Sequence, residues 1–405
     1  MKKTIGHRWE RRKEKSQRSW DKLVFNLFLC RETVARHDQV LAVAEASLAR
    51  REKHEGDQAC MASPDPVVRQ GWTLKQQVER EFHNLHAGKT SERILIQVPP
   101  PAYSPAGYSL FTNLAESLQF IGIPTQILEW DADTFQALER FQPTILLSSD
   151  HESYLARIDW AAIASYKQGR RLRVGLTASL EEYDNTPLLH RLDWAAKHGI
   201  DFYYTFRDEN YVTTRTGYQP FFNAGYKMVY LPFGANILHY YPVAGFERDL
   251  DFVIMATRKS EHMSYMKNIA RHHAGFIDGP GWKHVRNFHF NRERDRYIYA
   301  RAKVGLNVHL PEQIKWPCEV NERTYQLAAC GVPQLVDHPM LIDALFSRDA
   351  LYVADTPAEY SRMFREIMAQ PERAVTRALR AQNEVFARHT TFHRADAFVR
   401  QLTSV

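Results

Sequence analysis

From Arg93 onward, short apolar runs alternate with longer amphipathic segments, and this alternation limits the fold more than any other feature of the chain. Residues 94–98 (ILIQV) read as a buried strand stopped by Pro99, Pro100 and Pro101. Residues 109–121 have helical spacing, 125–130 form the next strand and 133–141 the next helix. Strands over 144–148, 173–177, 202–206 and 228–232 continue the series. A second series begins at 251–255 and runs through 275–277, 302–309, 333–337 and 351–353. Short strands that are apolar on both faces and separated by helices build parallel sheets covered on both sides. Two such series, joined by residues 233–247, predict two doubly wound domains in tandem. Ligands of such sheets bind at the carboxyl ends of the strands, here in a cleft where the two domains face each other.

Residues 1–90 break the pattern. They are rich in Arg, Lys, Glu, Gln and Ala, with apolar residues at helical spacing, as in Leu41, Val43, Ala44 and Leu48. Pro64 and Pro66 divide them into two helical pieces, because neither fits a helix interior. The expected organisation is a helical N-terminal extension over 1–90, domains over 91–238 and 239–385, and a terminal helix over 386–405 placed to cross back to the first domain.

The net charge of +6, from 53 basic and 47 acidic residues, is concentrated at one end. Residues 1–20 hold eight Lys and Arg against Glu10 and Glu14, so the remaining chain is neutral and offers no basic body for nucleic acid. The basic tip also carries Trp9, Trp20, Phe25 and Phe28. Residues 1–30 are therefore expected to serve self-association or attachment to an anionic membrane surface. No run approaches the ~18 apolar residues of a membrane span, and no cleavable apolar signal follows the start. A cytoplasmic protein, peripheral at most to the inner membrane face, is expected. Cys30, Cys60, Cys318 and Cys330 lack CxxC or CxxxC spacing, which argues for reduced thiols. The eighteen histidines form no HExxH pattern. Asp131-Ala-Asp133 spells a DxD, but Asp133 followed by Gln136 reads as a helix start. Neither a metal nor a cofactor is expected.

The most informative stretch is Asn321-Glu-Arg-Thr-Tyr-Gln-Leu-Ala-Ala-Cys-Gly-Val-Pro-Gln-Leu-Val-Asp337. It reads as a helix from about Asn321 to Cys330, a left-handed cap at Gly331, and a buried strand. A polar helix N-terminus at a strand-end crevice suits a phosphate or polyhydroxylated ligand.

This segment resembles the donor-binding helix of group 1 glycosyltransferases, above all the spore-maturation CgeB-like branch, which has an Asn-x-Arg-x-(aromatic)-Glu run leading into Ala-x-Gly. Residues 386–394 (FARHTTFHR) resemble the same branch's closing signature, and Tyr230-Leu-Pro-Phe-Gly-Ala-Asn236 resembles the close of its first domain. The resemblance implies a GT-B fold, with two Rossmann-like domains. The first would take the acceptor and the second a nucleotide sugar, which is a substrate and not a cofactor. Carried over by position, Asn321, Glu322, Arg323, Thr324 and Gln326 would line the donor site, with Arg258 and Lys259 at the diphosphate. The family's ribose-binding Glu falls on Gln326, which keeps hydrogen bonding but loses the charge. Asn307 and His309 end a strand on the same side and are further donor-site candidates. On the acceptor side, the loop with Tyr103 and Gly107 follows the first strand. Asp150, His151 and Asp184 lie past strand ends as candidate bases. The implied activity is metal-independent hexosyl transfer to a glycan, lipid-linked or protein acceptor, leaning towards retention. A non-catalytic carbohydrate-binding or assembly subunit and a nucleic-acid glucosyltransferase are the alternatives.

Overall fold

The computed structural model describes residues 29–183 and 186–402, which form two compact units. The six-stranded unit comprises Lys75–Ile237, Pro317–Glu322 and the chain from Phe386 onward. The five-stranded unit comprises the described residues up to Leu74, Leu238–Trp316 and Arg323–Val385.

In the six-stranded unit, β1 (Ile94–Val98), β2 (Thr125–Glu129), β3 (Ile145–Ser148), β4 (Arg173–Thr177), β5 (Phe202–Thr205) and β6 (Lys227–Tyr230) are parallel in the order β2-β1-β3-β4-β5-β6. β1 and β3 are buried along their whole length, as a sheet covered on both faces requires. The strand order reverses between β1 and β3, which makes their carboxyl ends the natural crevice of this sheet. The terminal helix Thr391–Leu402 packs on this unit through Phe392, stacked on Phe120 at 4.2 Å, and its Leu402 carbonyl accepts from Arg173 Nη1 at 2.8 Å.

In the five-stranded unit, β7 (Val253–Met255), β8 (Phe276–Asp278), β9 (Gly305–Asn307), β10 (Gln334–Asp337) and β11 (Tyr352–Ala354) follow the order β11-β10-β9-β7-β8, all parallel. The switch point here lies between β7 and β9. Its core gathers Phe252, Ile254, Leu306, Leu335, Tyr360 and Phe364.

Residues 29–74 are counted with this second unit, where a separate extension over 1–90 was expected. Leu29 lies in its core, and the Cys30 N–H donates to the Ala270 carbonyl at 2.7 Å. Thr33 Oγ1 accepts the Gly275 N–H at 3.1 Å, and Arg36 pairs with Asp249 at 2.6 Å. Glu55 receives Arg296 at 2.6 Å, Tyr241 at 2.7 Å and the Tyr297 hydroxyl. Burial opposes ionisation of Glu55, yet these donors hold its carboxyl below the usual range. Every partner lies about two hundred residues away, so local periodicity could not reveal the docking. The α-helices of this stretch are Arg31–Ala35, His37–Leu48, Asp57–Met61 and Pro66–Phe82, the last continuing past Leu74 into residues counted with the six-stranded unit, with a break at Gly56 (φ 136°) besides the one at the prolines. The basic tip lies outside the described residues. Among those described, no helix is long and apolar enough to cross a membrane.

Candidate functional site

At the switch point of the five-stranded sheet, one hydrogen-bonded chain links four of the residues singled out in the sequence, Asn307, His309, Arg323 and Thr324. The helix Glu322–Ala329 follows β9 and is closed by Gly331 in the left-handed region (φ 67°). A Cβ at Gly331 would also lie 1.8 Å from Val67, so close packing reinforces the backbone requirement. From the first turn of this helix, Arg323 donates through Nε to the Met255 carbonyl at the end of β7 and through Nη1 to Asn307 Oδ1 at the end of β9, both at 3.1 Å. Asn307 Nδ2 donates to Thr324 Oγ1 at 2.8 Å, and Thr324 Oγ1 lies 3.3 Å from His309 Nε2. His309 Nδ1 meets Asp337 Oδ1 at 2.6 Å, while the His309 N–H donates to Asp337 Oδ2 at 2.7 Å. The proton order that satisfies every member runs from the Asn307 amide through the Thr324 hydroxyl to His309 Nε2, with Nδ1–H on Asp337.

Asn307, Thr324 and His309 are at most 3% exposed. Their polar atoms are consumed within the chain, so they position Arg323 and do not line a ligand surface. Arg323 is partly exposed, and its Nη2 is left over from these bonds.

The loop after β7 carries Arg258 and Lys259 and is held from the side by the loop after β8. The Arg258 N–H donates to the Pro280 carbonyl at 2.8 Å, and Trp282 Nε1 donates to the Ala256 carbonyl at 2.7 Å. Gly279 (φ 132°) has no room for a Cβ, which would fall 2.3 Å from the Ala256 oxygen. The Gly279-Pro280-Gly281-Trp282 turn was missed in the sequence, although its glycines and proline mark a special loop. His262, stacked near Trp282 (6.0 Å), accepts the Lys259 N–H at 3.3 Å. Burial, then Arg323, Lys259 and His309, push His262 down to about 3. Burial also lowers Lys259, and the Arg323 charge adds to this against Glu261. The loop end and the helix start thus concentrate positive charge. Gln326 is partly exposed one turn into the helix.

In the six-stranded unit, three motifs recognised separately in the sequence meet. Leu231, Pro232, Phe233 and Gly234 line a small pocket of about 30 Å³ with Leu110, Asn113, Glu322, Thr391 and Arg394. Asn113 Nδ2 donates to Glu322 at 3.1 Å, and Asn236 Nδ2 donates to Asn113 Oδ1 at 3.0 Å. Arg394 Nε donates to the Phe233 carbonyl at 3.1 Å. Glu322 is therefore tied to the helix Pro105–Phe120, and partly exposed Asn321 precedes it in the same unit.

The candidate bases fare differently. Asp150 is 3% exposed, paired with Arg191, and accepts Thr177 Oγ1 at 3.0 Å and the Ser179 N–H at 3.3 Å. Burial pushes it up to about 7, against the pull of Arg191. Both oxygens already accept within the chain and the carboxyl is buried, so it is not presented to an acceptor hydroxyl. His151 caps the helix Glu152–Leu155: its Nδ1 accepts the Ser153 N–H at 3.1 Å. A neutral ring then carries its proton on Nε2, so His151 is arranged as a donor and not as a base. Asp184 lies outside the described residues. Tyr103 is exposed in the loop after β1. Gly107, expected in that loop, is in the helix Pro105–Phe120, where its N–H is capped by Ser104 Oγ at 3.0 Å. A Cβ there would lie 2.7 Å from the Tyr154 hydroxyl, which explains the glycine without a ligand. Asp133 caps the next helix through the Gln136 N–H at 3.1 Å, as the sequence indicated.

Residues 258–400 match the family described as "Glycosyl transferase-like". No curated protein matches the chain in sequence. The sucrose-phosphate synthase of Thermosynechococcus elongatus is similar in structure, with a TM-score of 0.51 and 13% identity over 77% of this chain and 100% of that one. Anabaena HepE in complex with UDP and glucose gives 0.49 and 10% over 78% and 100%. The T4 phage glucosyltransferase BGT in complex with UDP-glucose gives 0.49 and 10% over 76% and 98%. The fold is that of the GT-B class, and over residues 258–400 the chain is similar to the glycosyl transferase-like family.

Proposed function

We propose that the protein is a glycosyltransferase that takes its sugar from a nucleotide donor, with the diphosphate held at the β7/β9 switch point by Arg323, Lys259 and Arg258. The observation that carries this reading is the accumulation of positive charge there. Lys259 and Arg323 both act on His262, within the matched region and at a helix N-terminus. Like charges held together this way are relieved by an anion, and they stabilise the nucleotide diphosphate as it leaves. These side chains fill the role a divalent metal plays in other transferases, which supports metal-independent transfer. Asp150 is buried against Arg191 and His151 Nδ1 is taken up by a helix cap, so neither of these two is presented as a base, which favours retention over an inverting mechanism that needs one. Calorimetric titration with UDP-, ADP-, GDP- and dTDP-linked hexoses tests the reading, and silence across the panel defeats it.

The same two residues, with Gln326 where the family has Glu, favour a non-catalytic carbohydrate-binding relative as the second reading. Gln326→Glu separates the two. Turnover gained by the variant marks a decayed enzyme, whereas turnover lost marks Gln326 as the working residue.

A further inference from the structure

Along the strand-end rim of the six-stranded unit, five aromatic rings follow one another from the loop after β2 to the loop after β4. Tyr103 and Trp130 are 4.5 Å apart, Trp130 and Tyr154 5.2 Å, Tyr154 and His151 6.2 Å, and His151 and Tyr183 4.2 Å. Tyr154 is buried and forms the floor, Tyr103 is 48% exposed, and the other three are partly exposed. The row spans the ends of β2, β1, β3 and β4, about 14 Å at the usual strand spacing, which is longer than one pyranose ring. Packing and strand-end placement alone explain a buried tyrosine, but not an exposed Tyr103 laid against Trp130.

Donors and charges say what the row suits. His151 Nδ1 accepts the Ser153 N–H at 3.1 Å, which leaves its Nε2 on the side of the ring away from that cap. The segments that carry the rings also carry Glu129, Asp131, Asp133, Glu152, Glu181 and Glu182. Against these stand Arg157, which lies over Trp130 and 3.8 Å from Asp131, and Arg191, which is consumed by Asp150. A surface with this excess of carboxylates repels a phosphate backbone, whose binding depends on cations. It fits hydroxyl groups, which donate to carboxylates, while sugar C–H faces pack on the rings.

We propose that this rim binds a neutral oligosaccharide and that this glycan is the acceptor. The second half of the statement rests on the glycosyltransferase reading above. The test is saturation-transfer NMR and calorimetry on the full chain with maltotetraose, cellotetraose, mannotetraose and chitotetraose, without any nucleotide. At least one binds, its affinity is insensitive to salt, Tyr103→Ala weakens it about tenfold and Tyr103→Phe keeps it. Tyr103 is exposed, so its removal leaves the core intact. Silence with all four tetrasaccharides, or binding indifferent to Tyr103→Ala, overturns the proposal. So does salt-sensitive, Tyr103-dependent binding of single-stranded DNA in their place. A parallel titration of the same protein with nucleotide sugars separates the two failures. Nucleotide binding without glycan binding leaves the transferase reading and sinks this one, and glycan binding without nucleotide binding does the reverse.

Discussion

Replacing Thr324 by Val probes the chain from Arg323 to Asp337 at its middle link. Valine has nearly the same shape, so little packing is lost, but the hydroxyl that accepts Asn307 Nδ2–H at 2.8 Å and faces His309 Nε2 at 3.3 Å disappears. Both neighbours are buried, Asn307 fully and His309 at 3% exposure, so no water replaces the missing partner. An orphaned buried polar group costs about 1–3 kcal/mol, and two of them cost about 2–6 kcal/mol. The surrounding frame stays in place. Tyr360 still donates to the Leu335 carbonyl and meets the Asn307 backbone, and Asp337 still holds the His309 main chain. The damage is therefore local, and it passes to Arg323, because the loosened Asn307 amide is one of that guanidinium's two anchors. Urea unfolding should show the stability loss, and nucleotide-sugar titration a weakening of about tenfold, or ~1.4 kcal/mol. Thr324→Ser, which keeps the hydroxyl, should restore most of both. A valine variant within about 0.5 kcal/mol of the parent, or a serine variant as damaged as valine, would refute the continuous chain.

Three further outcomes are expected. Gly279→Ala forces a side chain into a positive-φ position 2.3 Å from the Ala256 oxygen, so it should cost about 1–3 kcal/mol in thermal unfolding and displace the Arg258–Lys259 loop. An unchanged melting temperature would contradict that crowding. Burial pushes Asp150 up to about 7, above the unfolded value of ~4, so between these limits the folded chain keeps a proton that the unfolded chain releases. The stability from this proton is complete below about pH 4 and lost as pH rises through 7. The advantage of the parent over Asp150→Asn in urea should shrink from pH 4.5 to pH 8, and a constant gap would argue against the raised value. His262, pushed down to about 3, should show a flat ring shift by NMR from pH 8 to pH 5 in the free protein. Added UDP should bring its titration back towards the ordinary range, whereas a free-state midpoint near 6.5 would remove the positive site.

The strands and the helix start at Glu322 were legible because both rest on local patterns. Burial on both faces leaves runs such as Ile145, Leu146 and Leu147 continuously apolar, and Gly331 marks the helix end through its backbone angle. Several boundaries moved: the strand expected over 302–309 is confined to Gly305–Asn307, and the helix expected from 109 starts at Pro105, capped by Ser104. The candidate site was less legible. The sequence named Asn307, His309, Arg323 and Thr324 together, but it could not show that three of them are buried against one another and only Arg323 is partly exposed. Asp150 looked available because nothing near it in the chain announces Arg191, forty-one residues on, as its partner. Likewise, the docking of Thr33, Arg36 and Glu55 depends on Gly275, Asp249 and Arg296, which no window of the sequence holds together.

That docking has a consequence for biogenesis. The segment around Thr33–Glu55 leaves the ribosome well before its seats on Gly275, Asp249 and Arg296, which are synthesised only after the whole of Lys75–Ile237. Its apolar and charged faces must wait, unpaired, while the other unit is made, a long-range closure of the kind that slows folding and exposes chains to chaperones. A shortened gene starting near Leu238 should yield a product prone to aggregate, because the β8 side would lack its Thr33 lid and Arg296 its carboxylate.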